Sequence, residues 1–201
     1  MKRVKLVVAY DGTNYCGWQV QPNGITIEGV LNRELSKLLK EDIVVIGASR
    51  TDSGVHSYGN VAVFDTNARM PAEKISYALN QRLPDDIVVQ NSSEIPLDWH
   101  PRHCNSRKTY EFRILNREFP MPQRRLDTWF VYRKLNIPAM CEAARQFEGT
   151  HDFKSFCSVN TAVEDTTRTI YSCKLKQDGE LLTIRITGSG FLYNMVRIIA
   201  G

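Results

Sequence analysis

No apolar run in this 201-residue chain approaches the roughly 20 residues that a membrane-spanning helix needs. There is no signal-peptide pattern either, because Met1-Lys2-Arg3 leads straight into a short strand-like run. Cysteine is sparse: five residues, an odd number, with no CxxC pair. That argues against a disulfide framework and for a reducing cytoplasm. Neither sign of charge dominates. The net charge of +4 permits an acidic partner without demanding one. What is present is an ordinary globular composition, 42% hydrophobic and 24% charged, long enough to bury a sizeable core in one large domain or two small ones. The basic residues are distributed unevenly. They gather at Lys2-Arg3-Lys5, Arg102 to Lys108, Arg124-Arg125, Arg133-Lys134 and around Arg168, interleaved with aromatics, a pattern that favours nucleic acid over a plain solvated face.

Taken in order, Val4 to Tyr10 reads as a strand, followed by the turn-rich Asp11-Gly12-Thr13-Asn14. Thr26 caps an expected helix whose Ile27, Val30, Leu31, Leu35, Leu38 and Leu39 share one face. Strands are expected at Ile43–Ile46 and Val61–Phe64, then a helix starting at Pro71 with Ile75, Ala78 and Leu79 inward, then a strand from Ile87 to Gln90. The order βαββαβ is that of a ferredoxin-like unit, an antiparallel sheet with two helices on one face. A second unit opens with alternation over Lys108–Leu115, where Tyr110, Phe112 and Ile114 share a face. An irregular stretch to Leu135 contains a candidate strand at Trp129–Tyr132, and a helix from Pro138 is expected to end at Gly149. Asp178-Gly179 signals a hairpin between Arg168–Lys176 and Leu181–Thr187. Gly188-Ser189-Gly190 then introduces a helix over Phe191–Ile199. The expectation is an α+β protein of two ferredoxin-like halves, 1–105 and 106–201, with mainly antiparallel sheets flanking a central cleft. The second half reads as incomplete at its C-terminus.

The stretch richest in chemistry lies between two β-branched runs, Val44 to Phe64. Its loop, Arg50-Thr51-Asp52-Ser53-Gly54-Val55-His56, puts a cation, a hydroxyl, a carboxylate and an imidazole within seven residues held at both ends by core strands. Read locally, the plainer reading prevails, a polar turn in which Asp52 bonds its own backbone before Gly54. Two further segments could carry chemistry, Arg107-Lys108-Thr109-Tyr110 and Gly188 to Gly201. Singly, Tyr110 reads as a core tyrosine and Arg197 as a helix-end cation.

Other constellations fall short. His100, His103 and Cys104 have no evident fourth ligand and no zinc-site spacing, so no metal site is expected. His56 and Asp52 lack a nucleophile-elbow pattern for a Ser–His–Asp hydrolase. Cys157, near His151, carries no sign of an activated thiol, and Asp152 reads as a cap or turn residue after the helix.

In combination the motifs are specific. The Arg50–His56 loop is followed by Ala78-Leu79-Asn80 with Leu83-Pro84, and by Lys108-Thr109-Tyr110. Gly149-Thr150-His151-Asp152-Phe153 with Ser155-Phe156 comes next, then Phe191-Leu192-Tyr193-Asn194-Met195-Val196-Arg197. In this order they resemble the tRNA pseudouridine synthase A family over essentially the whole chain. Ser49 and Ser57 stand where that family often has Gly and Ala, and leave the reactive groups intact. The resemblance implies an isomerase that converts uridine to pseudouridine at positions 38 to 40 of the tRNA anticodon stem-loop, acting as a cytoplasmic homodimer without metal or organic cofactor. It assigns Asp52 as the nucleophile, Arg197 as the cation paired with it, and Tyr110 as the ring stacked on uracil. Arg50, Thr51, His56 and Leu192 join Tyr110 in binding substrate. The alternative is a non-catalytic RNA-binding module of ferredoxin-like fold, against which the intact Arg50-Thr51-Asp52 set counts.

Overall fold

In the computed structural model, which describes residues 1–159 and 163–201, the opening alternation forms strand β1 (Lys2–Tyr10). Its Val4, Leu6, Val8 and Tyr10 all point to a buried face. The chain divides into two units, Met1–Cys104 and Asn105–Gly201, each with its own sheet and core.

In the first unit β1 pairs antiparallel with β3 (Ser57–Thr66) on one side and β4 (Ile87–Ile95) on the other. A two-residue β2 (Ile46–Gly47) edges β3, so the sheet order is β2-β3-β1-β4. Helix α1 (Ile27–Leu39) begins where Thr26 Oγ1 accepts the Gly29 N–H at 3.2 Å, and it buries Ile27, Val30, Leu31, Leu35 and Leu39 as the 3.6-residue period requires. Each such fully buried aliphatic chain stabilises the fold by about 1.5–3 kcal/mol. Helix α2 (Ala72–Asn80) follows Pro71, which is its N-cap rather than its first turn. The Asn80 side chain bonds both ways to the Val89 backbone, at 2.8 and 2.9 Å, and ties the helix end to β4.

The strand expected at Ile43–Ile46 is shorter than its alternation suggests. Ile43 and Val45 are buried, yet their N–H groups donate to Ser36 Oγ (2.9 Å) and Asn32 Oδ1 (2.8 Å) on α1. Side chains of the helix thus take the donors that a ladder would have used, and pairing starts only at Ile46.

In the second unit β5 (Lys108–Asn116) lies between a short parallel β6 (Trp129–Val131) and β9 (Leu181–Gly188). The sheet order is β6-β5-β9-β8-β7, with β7 at Gly149–Asp152 and β8 at Thr167–Asp178. β8 and β9 form the expected hairpin, with Gly179 at φ +59° supplying the left-handed turn position. Helix α3 (Ile137–Arg145) is capped by Asn136, whose side chain accepts the Ala139 N–H at 3.2 Å. It ends at Arg145, not at Gly149. That glycine, at φ +111°, instead opens edge strand β7.

The last helix, α4 (Met195–Ala200), is likewise shorter than expected. Phe191 to Asn194 form a turn in which Leu192 is buried and Asn194 is left-handed, so helical geometry starts only after it, at the buried Met195. Across the described residues the chain is α+β, with two mainly antiparallel sheets and four helices. No described helix is long and apolar enough to cross a membrane.

Candidate active site

The Arg50–His56 loop is held from beneath by residues 10–18, which follow β1. Trp18 donates its N–H to the Thr51 carbonyl at 3.0 Å, and the Tyr10 hydroxyl meets Thr51 Oγ1 at 2.8 Å. The Tyr15 carbonyl accepts twice, from Gly54 N–H (3.3 Å) and Ser53 Oγ–H (3.2 Å). The loop's own turn closes between Val55 N–H and the main-chain carbonyl of Asp52 at 3.1 Å, with Gly54 at φ +76°. Asp52 itself is half-buried. Two glycines make the contact possible. A Cβ on Gly12 would stand 2.1 Å from the Val55 carbonyl oxygen, and one on Gly17 would stand 2.5 Å from that of Thr51.

The loop's entry is fixed as well. Buried Asn60 on β3 accepts the Ser49 N–H at 3.2 Å and donates to the Ser49 carbonyl at 2.9 Å. Arg102 reaches back to donate its Nε–H to the Gly47 carbonyl at 2.8 Å. At the exit, His56 Nδ1 lies 2.9 Å from Asp11 Oδ1 and 3.2 Å from Gly12 N. A bare Nδ1 accepts from Gly12 and a protonated one donates to Asp11, so the tautomer selects the partner. Asp11 is held below the ordinary carboxylate range by the Thr13 hydroxyl first, then the Thr13 amide, with His56 adding to both. Tyr15 donates its hydroxyl to Asp86. Burial and that carboxylate push the phenol well above its usual value, which keeps it a neutral donor.

In the second unit Tyr110 faces Ile186 across the β5–β9 ladder and meets Phe191 edge-to-face at 4.9 Å. It is half-buried and shares its face with Phe112 and Ile114, as the alternation predicts. Leu192 is buried in the turn before α4, and its N–H points at Met195 Sδ, 3.5 Å away. Arg197 stands on α4 with its residue surface exposed. The Asn194 side chain donates to Ser158 Oγ at 2.8 Å and anchors the turn. Arg107 lies over the Tyr171 ring at 4.7 Å.

The sequence-level alternatives resolve by position. Asp152 ends β7 and is the turn residue expected after the helix: its Oδ1 accepts the Thr166 hydroxyl and the Lys154 N–H, which in that order hold it below the usual carboxylate range. His100 and His103 are ring neighbours at 4.3 Å, and among the described residues no three His, Cys, Asp or Glu side chains gather as metal ligands do. Gly12, Tyr15, Gly17 and Asn60 are supports of the loop that sequence reasoning passed over, whereas Arg102 entered it only within a basic cluster. The only signal was the glycine-rich turn after β1.

The comparisons agree with this arrangement of motifs. A family model described as tRNA pseudouridine synthase matches residues 6–103 and 143–201. A tRNA pseudouridine synthase A from Thermoanaerobacter sp. is 46% identical over 201 residues, covering 100% of this chain and 82% of the relative. Proteins of the same name from Clostridium acetobutylicum and Citrifermentans bemidjiense are each 47% identical, again over 100% of this chain and over 82% and 80% of their own lengths. With a family match across both units and such identity along its whole length, the chain belongs to the tRNA pseudouridine synthase family.

Proposed function

We propose that this protein isomerises uridine to pseudouridine in the tRNA anticodon stem-loop, at positions 38 to 40, with Asp52 as the nucleophile. One observation carries the reading: the Arg-Thr-Asp loop is tethered by Tyr10, Tyr15 and Trp18 through four hydrogen bonds to Thr51, Ser53 and Gly54, so the backbone that bears Asp52 is held before substrate arrives. In the reaction the N1–C1′ bond of uridine breaks, the uracil turns, and C5 bonds to C1′. The C5 proton is released to solvent and N1 takes one up, so nothing is oxidised. A carboxylate suits the task because it can bond to sugar or base and leave again.

To attack, Asp52 must stay ionised in a shielded place, where burial alone would raise its pKa and neutralise it. Arg197 is the cation we assign to that need, since a guanidinium keeps its charge at any working pH. Tyr110 is assigned to stack on the uracil, while Arg50, Thr51, His56 and Leu192 contact substrate. The strand order β2-β3-β1-β4 supports a ferredoxin-like reading of the first unit, and β9 between β5 and β8 supports the same for the second. We further propose a cytoplasmic homodimer, which sedimentation against concentration tests. The activity itself is tested by tritium release from tRNA carrying uracil labelled at C5. Release from the wild-type protein is expected, and RNA binding without any release would leave a non-catalytic module.

A further inference from the structure

We propose that the second unit's sheet, on the face turned away from α3 and α4, holds the backbone of a tRNA limb remote from the target uridine, through Lys174, Lys176 and Arg185. The inference rests on the tRNA reading above and adds a second RNA contact to it. Strand alternation separates the two faces of this sheet. Ile170, Cys173, Ile184 and Ile186 point to the core that Ala144 of α3 and Met195 of α4 complete. Lys174, Lys176 and Arg185 point the other way and are exposed. Tyr110 pairs with Ile186 on the core side, while its strand neighbour Glu111 pairs with Arg185 on the open side. The register fixes the rest. Lys174 on β8 stands directly across from Arg185 on β9, and Lys176, opposite Thr183, is the diagonal neighbour of Arg185.

Directly opposed side chains in a sheet have Cβ atoms about 4.5–5.5 Å apart, and like charges so placed destabilise the pairing. The carboxylates on this face are divided among several cations. Glu111 is shared between Arg113 Nη2 at 3.2 Å and Arg185 Nη1 at 3.9 Å, and Asp127 between Arg113 and Arg124 at 3.3 and 3.1 Å. Asp178 follows one row beyond Lys176, at the hairpin turn. At the other end of the face a bulge sets Tyr171 and Ser172 together against Thr187, and the Arg107 guanidinium lies over the exposed Tyr171 ring at 4.7 Å. Cations kept in repulsive register on an open surface complement an RNA backbone, which carries a negative charge every few ångströms. A rigid stem cannot lie on both faces of one sheet. An RNA that offers its uridine to the Tyr110 side therefore meets Lys174 with a different limb.

The test measures Kd across a salt series for an unmodified full-length tRNA transcript and for its isolated anticodon hairpin, which needs no turnover. The triple variant Lys174→Gln, Lys176→Gln, Arg185→Gln is expected to weaken full-length tRNA by about tenfold and to make its log–log salt slope shallower by about two to three. The hairpin is expected to bind it as it binds the wild-type protein. Lys174→Glu alone sets a carboxylate opposite Arg185. It is expected to raise Tm by about 1–3 °C while weakening full-length tRNA, which separates RNA binding from folding. Wild-type affinity and slope for full-length tRNA in the triple variant overturn the proposal. Equal losses on the hairpin and the full-length tRNA overturn it too, since they place the face at the anticodon arm. Normal tRNA binding beside altered sedimentation assigns the face to a second copy of this chain and likewise overturns it. Should the triple variant fail to fold, Lys174→Glu decides: weaker full-length binding supports the contact and wild-type affinity overturns it. Unchanged slopes beside normal tritium release defeat this face alone. Absent release from the wild-type protein defeats the activity reading and leaves the slopes to stand on their own.

Discussion

At the scale of single residues, Asp52 carries the heaviest demand. Asp52→Asn is nearly isosteric but cannot act as an anionic nucleophile. It is expected to keep tRNA binding and lose turnover, and residual activity within tenfold of wild type, only about 1.4 kcal/mol of barrier, would remove Asp52 from the chemistry. Arg197 makes a separable prediction. If its charge keeps Asp52 ionised, Arg197→Met raises the carboxyl's pKa, and the acid limb of the pH–rate profile moves to higher pH. A limb that stays in place while the rate falls equally at all pH values would assign Arg197 to orienting substrate. Both proposed roles come only through the family motif. Taken alone, the residue types at these positions are as common in turns and helix ends as in sites.

At the scale of elements, the seating of the loop on residues 10–18 is decided by main-chain contact, and two glycines on φ-positive backbone separate its causes. Gly17 and Gly54 have similar angles, +85° and +76°, so an alanine at either costs roughly 1–2 kcal/mol in backbone strain. Gly54 has nothing within 4 Å of a Cβ, whereas at Gly17 a Cβ meets the Thr51 carbonyl oxygen at 2.5 Å. Gly54→Ala is therefore expected to lower the denaturation midpoint modestly and keep most activity, and Gly17→Ala to lose activity well beyond its stability loss by displacing Thr51 and Asp52. Equal effects of the two on turnover would show that the seating does not matter to the chemistry. Sequence reasoning saw the strands that bracket the loop, because apolar alternation records burial. It overlooked the seating, because a carbonyl accepting from Trp18 N–H leaves no periodic trace. The same blindness explains β7, whose four residues are all exposed and so carry no alternation, and the shortened β2, where buried Ile43 and Val45 alternate like a strand but bond to α1.

At the scale of the whole molecule, carboxylates set the acid limit of stability. Asp65, bonded by Arg3 Nε and Nη2 at 2.7 Å each, sits below its ordinary pKa, chiefly through those bonds. Asp11 and Glu34 are lowered too, by Thr13 and Arg33 first respectively. A carboxylate whose folded pKa is depressed contributes stability that is present above its unfolded pKa and lost as pH falls through the folded one. Stability is therefore expected to be flat near neutrality and to decline below about pH 4, the unfolded carboxylate range. Arg3→Gln should flatten that decline by removing Asp65's share, as thermal melts across pH would show. The Arg102 tether has a different kind of consequence, one of timing. It grips a carbonyl 55 residues earlier in the chain, and Asp86, which holds Tyr15, is 71 residues from its partner. On a ribosome the loop thus emerges long before its last supports. A nascent chain halted between the two would display the Arg-Thr-Asp motif without its tethers, so the seating of the loop arrives in one late step, when the first unit closes on itself.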